Sequence, residues 1–225
     1  MVDNREIIKR MIIRDFEQYQ NDEQHIFYIV QVLCRKKDGC EKDNYPVYQK
    51  TIDNIDKIDK IFDEAIIKAH EYNARVYITV SPKVKEKTYI KIANVFLEQL
   101  LKNQYDKSIE SIVYGASMMS GNSCCKRIIF DFDGYNIDDI VLEFFEAIGQ
   151  PYFHINTVNG FHIITEMTRD FMGDDIFDLM GPYIKELIKN VYYYNNGKHA
   201  VNIKQAFKDM MHKESGNILV YYKTN

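Results

Sequence analysis

Asp131 and Asp133 stand one residue apart at the end of the run Lys126-Arg127-Ile128-Ile129-Phe130-Asp131-Phe132-Asp133-Gly134. In a strand, successive side chains point to opposite faces, so this spacing puts both carboxylates on one face and Phe130 and Phe132 on the other. Two adjacent carboxylates on a buried strand repel each other and lose hydration unless a cation sits between them. Carboxylate oxygen suits Mg²⁺ or Mn²⁺. The plainer reading is a strand end whose two aspartates are solvated in a turn. A second group lies downstream, where Asn159-Gly160 separates two β-rich runs within residues 152–167. That dipeptide is a type I′ hairpin signal, and a two-residue turn there sets Val158 against Phe161 and Thr157 against His162. His154 then falls on the face opposite His162 and reads as structural. A histidine and a hydroxyl beside two metal-bound carboxylates can hold triphosphate oxygens while the metals activate a 3′-hydroxyl.

The elements that must position these groups follow from periodicity. Residues 4–20 place Ile7, Ile8, Met11, Ile12 and Phe16 at helical spacing. His25–Cys34 and Arg75–Val80 are β-branched and aromatic runs that read as strands, with a shorter strand at Tyr45–Thr51. Arg35–Asn44 is a polar loop turning at Gly39. Residues 53–71 read as a helix capped by Asp53 or Thr51. Ser81-Pro82 reads as an N-cap followed by proline at the first position of a helix running to about Lys102. Residues 103–125 read as irregular. After Gly134, helices are expected at about 137–148, 174–190 and 202–212, with a last strand at Ile218–Tyr222. The pattern predicts an α+β (mixed α/β) chain forming a single domain, 1–225, with a mixed or antiparallel sheet flanked by helices. Within it, residues 1–24 form an N-terminal helix, 25–125 an αβ part, and 126–225 the part bearing the acidic strand and the hairpin.

Composition bounds the function. With 225 residues, 46% of them hydrophobic, the chain has ample core material, and a net charge of −4 argues against coating nucleic acid by bulk charge. A local basic groove from Arg35, Lys36, Lys37, Lys126, Arg127, Lys198 and Lys204 stays compatible with that balance. No window of about 20 apolar residues spans a membrane, and the N-terminus lacks a signal-peptide core. Cys34, Cys40, Cys124 and Cys125 show no zinc-ligand spacing and suit a reduced, cytoplasmic protein.

These residues resemble the catalytic core of the archaeo-eukaryotic primase and primase-polymerase superfamily, in the manner of its small phage-type members. That core has a hydrophobic strand ending in D-x-D, here Ile128–Asp133. Next comes a hairpin with a small polar residue and Gly-aromatic-His, here Thr157-Val158-Asn159-Gly160-Phe161-His162. Asn73–Ile78 resembles the strand preceding the core. The resemblance implies a metal-dependent nucleotidyltransferase that adds an NTP or dNTP to a 3′-hydroxyl on a DNA or RNA template. Asp131 and Asp133 would bind Mg²⁺ or Mn²⁺, and Thr157, Asn159, Gly160 and His162 would present and hold the triphosphate. Arg75 would neutralise phosphate charge. A third acidic residue is implied. Ile218–Tyr222, the comparable last strand, contains none, and Asp209 is the nearest substitute as a metal ligand, with Glu214 behind it. A separate helicase or replication protein would be the expected partner, since no such module accompanies the core.

Two other readings compete. A non-catalytic member would keep the fold as a nucleic-acid or protein-binding module, with some of the 17 tyrosines stacking on bases. The stretch Phe130-Asp131-Phe132-Asp133-Gly134 also resembles the first motif of haloacid dehalogenase-like phosphatases, with Gly173–Asp178 as their last acidic motif. Against this, the motif follows 125 residues of αβ structure, and only about 40 residues separate the two acidic clusters. A Rossmann-like parallel sheet needs more chain than that. Gly173-Asp174-Asp175 is better read as the acidic start of a helix.

Overall fold

In the computed structural model, the described residues are 1–41, 45–103, 108–133, 146, 151–166, 211–212 and 217–223. The fold is α+β, and every pairing among the described strands is antiparallel. The strands fall into two sheets, in two compact units: Met1–Lys126 with Glu214–Asn225, and Arg127–Lys213.

The first unit is built on β2 (Ile26–Cys34), whose nine residues are all buried, as a continuous apolar run demands. It lies between β3 (Tyr45–Ile52) and β4 (Arg75–Thr79), and β4 in turn pairs with β10 (Asn217–Tyr222) and β10 with β1 (Val2–Asp3). The C-terminal strand is therefore interior to the sheet of the first unit. α1 (Arg5–Tyr19) buries Ile8, Met11, Ile12 and Phe16, one stripe of a 3.6-residue period. Its buried Asp15 accepts a hydrogen bond from the Tyr28 hydroxyl, which ties α1 to the Tyr28 face of the sheet. α2 (Ile58–Tyr72) covers the same face, where Glu64 meets Tyr48 and Lys50 of β3. The Tyr48 phenol is pushed up by burial and by that carboxylate. On the opposite face, Gln31 Oε1 accepts from Tyr114 of α4 (Ile109–Ser117) at 3.3 Å and from Asn217 at 3.2 Å.

Local chemistry departs from the sequence expectation at three places in this unit. The helix expected from residue 53 begins as a 3₁₀ turn, Ile55–Lys57, capped by Asn54, whose Oδ1 accepts the Asp56 N–H at 3.0 Å. Asp53 instead binds Lys57 and Lys85, and Thr51 belongs to β3. Ser81-Pro82 does not open a helix. The chain first adds a short strand, β5 (Lys83–Val84), to Phe27 and Ile26 of β2, and α3 (Lys85–Leu101) starts after it. Ladder hydrogen bonds there outweigh the local start signal. Residues 103–125 are not wholly irregular, since α4 lies within them, capped by Ser108 Oγ accepting the Ser111 N–H at 3.2 Å.

The second unit holds a four-stranded sheet in the order β7-β8-β6-β9, made of β6 (Arg127–Asp133), β7 (Tyr152–Asn156), β8 (Gly160–Glu166) and β9 (Met211–His212). Ile155, Phe161, Ile163 and Ile164 are buried in it. Met211 and His212, expected to end a helix, are strand. Apart from Glu146, which is helical, the expected helix at 137–148 lies outside the described residues, as do the helix at 174–190, the acidic stretch Gly173–Asp178, and Asp209 with Glu214.

Candidate active site

β6 is an interior strand, so both of its edges are paired and its register is set twice. Against β8, Asp131 pairs with His162 and Asp133 with Gly160; against β9, Ile129 pairs with His212. Directly opposed positions of an antiparallel ladder share a face, as do positions two apart on one strand. Positions 131, 133, 162 and 212 therefore occupy one face across three strands. Gly160 carries no side chain to compete for the space beside position 133. At the other end of the same strand, the fully buried Arg127 donates to Glu166 of β8 at 3.4 Å, a charge match across paired positions.

The hairpin carrying His162 forms, but in a register different from the expected one. Ile155, not Thr157, pairs with His162, and Asn156 pairs with Phe161. The Thr157 N–H donates to the Gly160 carbonyl at 2.9 Å, so Val158 and Asn159 form the tip. Neither Asn159 nor Gly160 has positive φ, so the turn is not type I′. Gly160 is instead absorbed into β8 opposite Asp133. The shift is by two residues, and an even shift leaves each side chain on its own face, so alternation alone does not distinguish the two registers.

Thr157 consequently sits at the mouth of the turn, and its buried Oγ1 has no hydrogen-bond partner among the described residues. His162 is partly buried. His154 lies on the other face, edge-on to Phe161 with ring centroids 5.1 Å apart, and burial pushes its imidazole below the ordinary histidine range. That surrounding matches the structural role read for it.

Arg75 belongs to the first unit and is engaged there. Its Nε and Nη2 each donate to the Asp38 carboxylate at 2.5 Å, and its guanidinium lies 4.4 Å from the Tyr222 ring centroid. Both charged side chains are almost fully buried. Burial works to raise the Asp38 carboxyl, but hydrogen bonds and charge from Arg75, with the Tyr222 hydroxyl, hold it below the usual carboxylate range. Arg75 is thus half of a buried ion pair whose charge is matched within its own unit.

For a divalent cation, the relevant observation is the backbone register alone, which places two aspartate and two histidine positions on one face of the ladder. Carboxylates suit Mg²⁺ and Mn²⁺, and imidazole widens the range towards other transition metals. Among the described side chains, no group of three or more His, Cys, Asp or Glu residues could hold a metal. His212 ends a segment with helical spacing, so periodicity alone does not place it next to the acidic strand. Only the pairing of β9 with β6 brings it beside the acidic strand.

Comparison with protein-family models, with curated proteins and with solved structures found no match to this chain.

Proposed function

We propose that the chain is a metal-dependent nucleotidyltransferase of primase-polymerase type, acting at the β6–β8 ladder. The observation that carries this reading is the register that sets Asp131 opposite His162 and Asp133 opposite Gly160. In this account Asp131 and Asp133 hold Mg²⁺ or Mn²⁺, and His162 donates to an oxygen of the bound triphosphate. Thr157 and Asn159 shape the turn beside it, and Asp209 is the proposed third acidic ligand. A divalent cation held by Asp131 and Asp133 would supply charge neutralisation and would lower the pKa of the attacking hydroxyl. In the transfer, the 3′-hydroxyl gives up its proton to solvent as its oxygen bonds to the α-phosphorus, the bond from that phosphorus to the β-phosphate oxygen breaks, and pyrophosphate leaves. The partners are then an NTP or dNTP, a DNA or RNA primer-template, and a separate helicase or replication protein.

The antiparallel neighbours of β6 speak for this reading over the phosphatase alternative, which needs the acidic strand in a parallel sheet. Among the described residues, no helix is long and apolar enough to cross a membrane. A thermal-shift titration with Mn²⁺ and then ATP or dATP tests the site, because a ligand that binds only the folded state raises apparent stability. Stabilisation by nucleotide that requires metal and disappears in Asp131→Ala is the expected result. A wild type indifferent to both ligands would favour the non-catalytic binding module.

A further inference from the structure

β2 ends at Cys34, and the chain then makes a short excursion before returning to the same place at Cys40. The return is tightly specified. Lys36–Asp38 form a 3₁₀ turn, and Gly39 takes a left-handed conformation, φ 92°, that its lack of a side chain permits. The Asp38 and Cys40 N–H groups both donate to the Arg35 carbonyl, at 2.9 and 3.2 Å. Groups from outside the loop clamp it further. Arg75 and Tyr222 hold the Asp38 carboxylate, and the Asn73 side chain donates to the Asp38 carbonyl at 2.8 Å.

The Cys40 N–H bond to the Arg35 carbonyl brings Cys40 back beside the end of β2, where its thiol influences that of Cys34 and donates to the Tyr72 carbonyl at 3.9 Å. Both are free thiols, Cys34 buried and Cys40 partly exposed. Two thiols at the neck of a loop closed by a backbone hydrogen bond are kept near one another by the fold itself.

We propose that Cys34 and Cys40 form a reversible disulfide site, oxidised by exchange with a low-molecular-weight disulfide such as oxidised glutathione. The exposed Cys40 thiolate attacks one sulfur of the small disulfide, forming a mixed disulfide and expelling one small thiol. Cys34 then loses its proton, attacks the Cys40 sulfur and expels the second small thiol. Two protein thiols and one disulfide become one protein disulfide and two small thiols, so electrons and protons balance. Burial, and then the neighbouring Cys40, push the Cys34 thiol up to about 11, which assigns Cys34 the resolving role and Cys40 the entering one.

The test uses the full chain with Cys124 and Cys125 replaced by serine, so that only this pair remains. After incubation with oxidised glutathione at near-neutral pH, intact mass and peptide mapping should show loss of two hydrogens and a Cys34–Cys40 link, reversed by dithiothreitol. Cys34→Ser should instead stop at a stable glutathione adduct on Cys40, and Cys40→Ser should resist modification until unfolded in urea. An adduct on Cys40 that persists while Cys34 is present would overturn the proposal. So would a folded pair inert to the disulfide under conditions where the urea-unfolded chain reacts. Circular dichroism of each variant separates these outcomes from a failure to fold.

Discussion

Asp38→Asn is the perturbation whose consequence the structure specifies most closely. Asp38 and Arg75 are only 4% and 7% exposed at their side chains, so the substitution leaves a guanidinium buried without its counter-charge. Breaking a buried pair by removing one partner typically costs about 3–5 kcal/mol. Asparagine keeps the size and one acceptor oxygen, and Arg75 keeps its contact with the Tyr222 ring, so the lower end applies, about 3 kcal/mol. For a chain of this length that corresponds to a fall in Tm of roughly 6–12 °C. The pH dependence gives an independent sign. The folded Asp38 carboxyl lies below its unfolded value, so its contribution is complete above the unfolded carboxylate range, near pH 4, and is lost as pH falls through the folded value. The wild type should therefore exceed Asp38→Asn by about 3 kcal/mol at neutral pH and converge on it in strong acid. Urea denaturation followed by circular dichroism at both pH values measures the two gaps. A gap under about 1 kcal/mol at neutral pH, or one that persists unchanged in acid, would refute the reasoning. The double variant Asp38→Leu/Arg75→Met should recover much of the loss, since removing both charges leaves neither stranded.

Other outcomes follow from the same geometry. Thr157→Val should leave stability unchanged or slightly raised in chemical denaturation, because it deletes a buried hydroxyl with no partner among the described residues. In a nucleotide titration the same variant should bind more weakly if the turn contacts the triphosphate. Ser108→Ala should cost about 1 kcal/mol in urea denaturation by removing the side-chain cap of α4. Ile78→Ala, at a fully buried position of β4, should cost about 2–5 kcal/mol in the same assay.

Much of the framework was legible because apolar runs name interior strands. Ile26–Cys34, Arg75–Thr79 and Arg127–Asp133 are such runs, and each is flanked by a partner on both sides. What escaped was decided beyond the local window. Ser81-Pro82 carries a sound helix-start signal, but Lys83 and Val84 find hydrogen-bonding partners on β2 first. Ile109–Ser117 is short, contains β-branched residues and Gly115, and has little intrinsic helix propensity to announce it. The site divides the same way. The acidic pair and the hairpin histidine could be read from residue types, whereas the strand neighbouring β6 could not. The strand expected to complete the core, Ile218–Tyr222, lies in the sheet of the first unit, and the two-residue strand ending at His212 pairs with β6 instead. Arg75, read as a phosphate ligand from its place on a strand face, has its counter-charge in Asp38, 37 positions earlier.

The central claim is nucleotidyl transfer at Asp131, Asp133 and His162, and extension of a labelled primer tests it most directly. The purified chain would be given primed template, Mn²⁺ or Mg²⁺, and NTPs or dNTPs in parallel, beside Asp131→Asn and His162→Ala of verified fold. The account predicts metal-dependent extension by the wild type with release of pyrophosphate, abolished in Asp131→Asn and reduced in His162→Ala. Absence of extension with every nucleotide and metal combination, or extension that survives Asp131→Asn, would contradict it.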